Sequence, residues 1–477
     1  MKMKRTIYIL IVSAISLCTS SCHFLEVEKI GKSDIETYFS DISSLEPAMN
    51  GLYSLTFSLY DKYIIPYAEI AADNVVVSKD KGGVWIDYQN FATDLTYETS
   101  AVGMIWKNGY NIINNANEIL FYAPKLLQEN PGSSDLIHNV IGGAYFIRAL
   151  MHFNLCLVYS QNYTFTSDAS HLGVALRDRI PSLSETVRRV SAKDTYSLIL
   201  SDLDAALASF SNCNYSAEYA TPLACKALQA RVFLYMNDWE NAVAAASEVI
   251  SQKGLEKKEQ YEKMFCDPAF LSEEIVFRLN GKSQSATMYG FCQYDAPALR
   301  PADKVLSLFG GSDDVRGSMF SWDKSGTVYD KIIRKYAVTA SVTSDEERFS
   351  NLNIFRTSEM YLIRAEANCN LGKTSDAADD IKTLESRALG IDKSSVNLSF
   401  KDKEELSGII ARERQKELSF EGTRLFDITR RHESLVRDES STATVRELSY
   451  PDYRFILQIP RVEVEANTAM QQNPTSN

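Results

Sequence analysis

Three glutamates in one short run, Glu413, Glu417 and Glu421, recur every four residues and so share a helix face. Two carboxylates on one face could serve glycoside hydrolysis, which needs a pair flanking the scissile bond. The same stretch carries Arg412, Arg414, Arg424, Arg430 and Arg431. Carboxylates paired with arginines have lowered pKa values and make poor general acids. The expectation is therefore a partly buried ion-pair network that joins a helix to a following strand-like segment. Other chemical signatures fail on geometry. Gly372-Lys373-Thr374 looks like the tail of a phosphate loop, but Ala367 stands where the leading glycine belongs and the run before it reads as helix. There is no G-x-S-x-G, H-E-x-x-H or G-x-G-x-x-G. The 5 histidines are scattered, no cysteine pair has zinc spacing, and Asp323-Lys324-Ser325-Gly326 lacks the carboxylate spacing of a calcium loop. No catalytic group, metal or cofactor is expected.

Cys22 is the other chemically distinctive position. Lys2, Lys4 and Arg5 precede an apolar stretch from Ile7 to Leu17, too short to span a bilayer comfortably. Small residues Thr19-Ser20-Ser21 then lead directly to Cys22. This resembles a bacterial lipoprotein leader, cleaved after residue 21 with lipid added to the Cys22 thiol. Removing residues 1–21 takes away three positive charges, which moves the net charge from -12 to -15. So acidic a chain lacks the patch that drives nucleic-acid binding, and that partner is excluded. Of the other cysteines, Cys156 and Cys369 read as small core residues. Cys213 and Cys225 could form a disulfide in an oxidising compartment.

The elements that must position these groups are helices. With 45% hydrophobic and 23% charged residues, the 477-residue chain has ordinary globular composition. From about 137 to 159, Ala144, Ile147, Met151, Leu155 and Val158 form one stripe, and Tyr145, Ala149, His152, Cys156 and Tyr159 form another. A helix apolar on two faces is sandwiched between neighbours, and Arg148 in its middle argues for a core helix and against a membrane span. Two hairpins follow. One runs from Ala224 to Met236, turns at Asn237-Asp238 and returns from Trp239 to Ile250. The other runs from Ser358 to Leu371, ends at Gly372, and restarts from a cap at Thr374 or Ser375 to about Leu389. Small residues recur 12 apart in both, at Ala230 and Ala242, then at Ala365 and Ala377. This resembles tetratricopeptide repeats. The fold class expected is mainly α: an irregular repeat-like helical scaffold over about 36–250 and 355–430. Insertions of loops and short strands over about 73–100 and 281–342 would form a ligand face. They carry Trp85, Tyr88, Phe91 and Tyr97, then Met288, Tyr289, Phe291, Tyr294 and Trp322. Trp106 and Trp239 fall at helical positions and read as core.

At the glutamate run the sequence resembles the SusD/RagB family of outer-membrane lipoproteins. The family pattern ER-x-x-EL-x-FEG-x-R-x-FD-x-x-R is met by Glu413-Arg414, Glu417-Leu418, Phe420-Glu421-Gly422, Arg424, Phe426-Asp427 and Arg430. The likeness continues in order through Phe24-Leu25-Glu26, Glu69 with Asp73, Trp106, Arg148-Ala149, Ala230-Arg231, Asp314 with Arg316, and Ile459-Pro460. Thr475-Ser476-Asn477 departs from it where the family ends in Gly-Tyr. The resemblance implies a leader over 1–21 and one SusD-like domain over 22–477. It implies a lipid-anchored protein at the outer membrane, exposed on the cell surface. Such a protein captures glycans without catalysis and passes them to a TonB-dependent SusC-like barrel. Peptide capture by the same arrangement, a secreted glycosidase and a scaffold binding only protein are the alternatives. Flat aromatic faces suit sugar rings and planar polar groups suit hydroxyl pairs. The ligand candidates are accordingly Asp73, Asn74, Trp85 and Tyr88 from the first insertion, with Tyr289, Tyr294 and Trp322 from the second.

Overall fold

The computed structural model describes residues 34–475, apart from 82, 84, 93–99, 183–185, 311–312, 325 and 337–348. Cys22, the leader and Tyr97 lie outside the described residues. Residues 34–44 and 45–475 are separate compact units. In the first, Asp34 caps the turn Ile35–Tyr38 by accepting from the Thr37 backbone N–H at 2.7 Å.

The second unit is built on helices α1 (Leu45–Leu59), α2 (Ile65–Ile70), α3 (Ala101–Glu129), α4 (Ser134–Tyr159), α5 (Ala192–Ser209), α6 (Pro222–Met236), α7 (Trp239–Gln252), α8 (Thr357–Asn370), α9 (Thr374–Leu389), α10 (Lys403–Leu418) and α11 (Arg424–Arg430). A π-helical stretch, Tyr60–Ile64, joins α1 to α2. As the two stripes require, α4 packs between α3 and α5. It is apolar and long enough to cross a bilayer, but it is buried inside the protein. Its Arg148 donates to both carboxylate oxygens of Asp202, at 2.9 and 2.5 Å, and to Asn117 Oδ1 at 2.7 Å. His152 one turn on stays neutral, because burial and the Arg148 charge lower its pKa to about 3. Gly109 of α3 lies against Leu155 of α4, and a Cβ there would sit 2.9 Å from Leu155 Cδ2.

The two hairpins expected from the alanine spacing are α6–α7 and α8–α9. Thr221 caps α6 with proline at its first position, and Asn237 in the left-handed region (φ 59°) ends it. Asp238 then caps α7 through the Asn241 N–H at 3.3 Å. Ala230, Ala242, Ala365 and Ala377 are fully buried where the helices approach. The cap expected at Thr374 or Ser375 is absent: α9 opens on Thr374, after Lys373, without a side-chain cap.

Although about a hundred residues separate the hairpins, α7 packs directly on α8. The intervening chain leaves and returns through β4 (Ile275–Leu279) and β8 (Leu352–Arg356), an antiparallel pair that closes the excursion. All five β4 residues are buried; four are apolar, and the fifth, Arg278, donates to Glu218 at 2.7 Å and to the Phe270 carbonyl at 3.0 Å. Two further strand pairs position the insertions. β1 (Val75–Val77) pairs antiparallel with β5 (Leu299–Pro301), and β6 (Ser321–Lys324) forms a hairpin with β7 (Thr327–Asp330).

Candidate functional site

The glutamate run lies at the end of α10 and in the turn before α11. Glu413 and Glu417 are buried, at 2% and 0% exposure. Glu417 accepts from Arg356 at 2.9 Å, Arg387 at 2.7 Å and Arg316 at 3.2 Å. Glu413 accepts from Arg316 at 2.5 Å, and Glu421 accepts from Arg356 at 2.9 and 2.8 Å and from Lys335 at 2.6 Å. Burial opposes ionisation of Glu417, yet Arg387, Arg356 and Arg316 hold it well below the usual carboxylate range. A carboxyl so held cannot donate a proton at neutral pH.

The network is more deeply buried than the sequence suggests, and its partners differ. Four of the cations on these three glutamates come from distant segments, Arg316, Lys335, Arg356 of β8 and Arg387 of α9, and only Lys416, 3.8 Å from Glu413, is a sequence neighbour. The neighbouring arginines serve elsewhere. Arg414 and Arg430 both bind Asp427 at 2.8 Å. Arg430 also forks onto Glu366 at 2.8 Å for each bond. The segment after the run is a helix, α11, and not strand-like. Gly422 adopts φ 79°, where its N–H reaches Glu69 Oε1 at 2.9 Å and a Cβ would sit 3.0 Å from Ile65.

This same framework takes up two residues expected at the ligand face. Asp73 is 3% exposed and binds Arg424 at 2.6 and 2.9 Å and Lys304 at 2.6 Å. Burial alone would raise its pKa; Arg424 and Lys304 overcome that and hold it at about 2. Asn74 is equally buried, donating to Glu69 Oε2 at 3.2 Å and accepting from Gln415 at 2.9 Å. Both join the first insertion to the α10–α11 motif and present no surface to a ligand. Trp85 and Tyr88 are also internal. Trp85 packs on Tyr88 and Phe291 with ring centroids 5.1 and 6.4 Å apart, so it bridges the two insertions.

The second insertion fares differently. Asp61 in the π-helical stretch accepts from the backbone N–H groups of Thr287 and Met288, at 2.8 and 3.0 Å, and from Ser285 Oγ at 2.8 Å. That carboxylate fixes the turn Thr287–Phe291 carrying Tyr289, which is half-buried. Farther along, Tyr294 meets Trp322 edge-on at 5.1 Å and Tyr329 at 4.8 Å. Trp322 and Tyr329 face each other across the β6–β7 hairpin. All three rings are half-buried, and the Arg334 guanidinium lies 5.5 Å from the Trp322 ring centre. Arg334 is itself paired with Glu262. The result is a braced aromatic cluster on a hairpin, open on one side. Tyr329 escaped the sequence reading, although its spacing across Gly326 from Trp322 is the signal of a cross-strand pair.

Other expectations can be placed too. The described cysteines, including Cys213 and Cys225, are free thiols. Among the described residues no group of three His, Cys, Asp or Glu side chains could hold a metal ion. Trp106 is core as expected, but Trp239 is half-exposed.

A helical repeat scaffold, an internal ion-pair motif and an aromatic insertion together define the class of fold. Comparison with known proteins makes this specific. The model for the "SusD family" matches residues 300–475, and that described as "Starch-binding associating with outer membrane" matches residues 24–234. SusD-like protein P38 of Formosa agariphila is 23% identical, over 96% of this chain and 98% of its own. Solved structures agree in fold. A SusD superfamily protein from Bacteroides thetaiotaomicron superposes with a TM-score of 0.77 at 22% identity, covering 91% of this chain and 100% of that one. A SusD-like carbohydrate binding protein from Bacteroides vulgatus gives 0.71 at 17% identity, covering 90% and 97%. Between them the two family models span residues 24–234 and 300–475, so the likeness to SusD proteins runs over most of the chain.

Proposed function

We propose that the protein captures glycans at the outer membrane and passes them, uncleaved, to a TonB-dependent SusC-like barrel. The observation that carries this reading is the Tyr294, Trp322 and Tyr329 cluster, half-exposed and braced by Arg334. Aromatic faces held rigid on a hairpin accept sugar rings at little entropic cost. The description of the matched family model, which names starch, and the carbohydrate-binding structural relative support the same ligand class. The internal pairing of Glu413, Glu417 and Glu421 supports capture without hydrolysis. Of the seven ligand candidates, this reading keeps Tyr289, Tyr294 and Trp322 and adds Tyr329. Cys22 would carry the anchor. The test is calorimetry with malto-oligosaccharides and a panel of other glycans on wild type and Trp322→Ala, followed by analysis of the recovered sugar. Binding that weakens in the variant, with the sugar intact, is the expected outcome. Peptides bound in place of every glycan would hand the site to the peptide reading, and cleaved sugar would make it an enzyme.

A further inference from the structure

A second concavity lies on a different part of the unit. One face of α3, including Trp106, Tyr110, Asn111 and Asn114, forms one wall of a cleft of 690 Å³. The opposite wall comes from Arg177, after the short strand Leu172–Ala175, and from Glu463 in the helical turn Arg461–Ala466. No residue is shared with the Tyr294, Trp322 and Tyr329 cluster. The volume falls within the range of about 300–1,000 Å³ typical of small-ligand sites.

The walls are fixed before any ligand arrives. Trp106 is 5% exposed and donates its indole N–H to Glu463 at 3.3 Å, tying one wall to the other. The Tyr110 hydroxyl donates to the Ala175 carbonyl at 2.8 Å and accepts from the Ala175 N–H at 3.1 Å. Beyond the helical turn, Asn467 donates to the Val187 carbonyl at 2.7 Å. Asn473 is clamped between Arg189, at 2.7 Å, and the backbone of Tyr159 and Leu457. These bonds hold the C-terminal wall on β2, the Leu172–Ala175 strand, and on its partner Arg189–Ser191.

The chemistry is that of a neutral polyol site. Asn111 and Asn114 lie about one turn apart on the exposed side of α3, and a carboxamide can donate and accept at once, as neighbouring hydroxyls require. Charges of both signs line the cleft, Lys107 and Arg177 against Glu463, so a small anion has no dedicated cage. The exposed lining is therefore polar, Asn111 and Asn114 opposite Arg177 and Glu463, and the buried Trp106 serves to hold those walls together. We infer that the α3 cleft is a second oligosaccharide-binding site, independent of the aromatic hairpin. A long chain could then be held at two points, which raises its effective affinity without new contacts at either.

The ligand class rests on the glycan reading above; the location rests on the cleft itself. The test uses the full mature chain and calorimetry with maltotriose, cellotriose and xylotriose. Wild type, Trp322→Ala and the double variant Asn111→Ala with Asn114→Ala are compared. Both asparagines are exposed, so the fold survives their loss. At least one trisaccharide should still bind Trp322→Ala, and its affinity should fall about five-fold or more in the double variant, as expected for a lost hydrogen bond. If Trp322→Ala abolishes all binding while the double variant matches wild type, the cleft is not a site and the hairpin reading stands. If the double variant alone loses binding, the cleft stands and the hairpin reading falls. Wild type that binds none of the three probes overturns the cleft as a sugar site.

Discussion

Replacing Glu417 by glutamine should unfold more of this protein than any surface charge change, and the reason can be counted. Asp314, Glu274, Glu413, Glu417 and Glu421 face Arg316, Arg356, Arg387, Lys335 and Lys416 in one connected cluster. The charges balance, and removing one carboxylate leaves a buried cation without compensation. Glutamine can keep one acceptor for Arg356 and Arg387, but its amide then points its own donors at Arg316. Breaking a buried pair by removing one partner costs about 3–5 kcal/mol, because the other charge stays buried. The internal control is Lys331, whose pair with Asp303 spans 2.7 Å with both side chains 56% exposed. Lys331→Ala should cost no more than about 1 kcal/mol. Urea unfolding of wild type and both variants reads this as a shift in midpoint at constant slope. If Glu417→Gln lies within about 1 kcal/mol of wild type, the motif is not a keystone of the fold. If it instead removes a glycan-cleaving activity from a protein that stays folded, its role is catalytic.

The two tryptophans should separate binding from stability. Trp322→Ala should weaken glycan binding several-fold, at roughly 1 kcal/mol for a stacked ring, and leave the melting temperature nearly unchanged. Trp85→Ala empties a buried position and should cost about 3–5 kcal/mol of stability; equal effects of the two on both readouts would refute the distinction. Glu69 supplies a pH signature: burial raises its pKa to about 7, against the hydrogen bonds from Asn74 and Gly422. A raised carboxyl binds its proton more tightly in the folded state, so it takes stability away as pH rises from about 4.5 to about 7. The melting-temperature difference between wild type and Glu69→Gln should therefore shrink over that window, and a constant difference would contradict it. Cys22→Ala should release the protein from the membrane fraction, since only acyl chains would hold so acidic a body; retention after alkaline washing would argue against the anchor.

The helices were legible because their signals are local. Stripes at spacings of three and four depend on neighbours in sequence, and α4, α6, α7, α8 and α9 fall within a few residues of where the pattern put them, although the cap read at Thr374 or Ser375 does not form. The stacking of α7 on α8 was not legible, because it depends on β4 finding β8 across more than seventy residues. The same limit governs the site. The Glu413, Glu417 and Glu421 spacing reveals a shared face, but all their cations except Lys416 arrive from segments that only the fold brings near. Asp73 and Asn74 look like loop ligands for the same reason. Their partners Arg424 and Gln415 lie some 340 to 350 residues away in sequence. Tyr294 and Trp322 were singled out by type alone; only the fold shows that their rings meet, and the hairpin register that Tyr329 joins them.

The proposed capture holds a glycan on the Tyr294, Trp322 and Tyr329 cluster without cutting it. A crystal structure with a bound oligosaccharide tests that directly. The expected result is an intact chain with a sugar ring against the exposed side of that cluster, while Glu413, Glu417 and Glu421 remain paired as in the free protein. A glycan found cleaved, or bound with that cluster untouched, would contradict it.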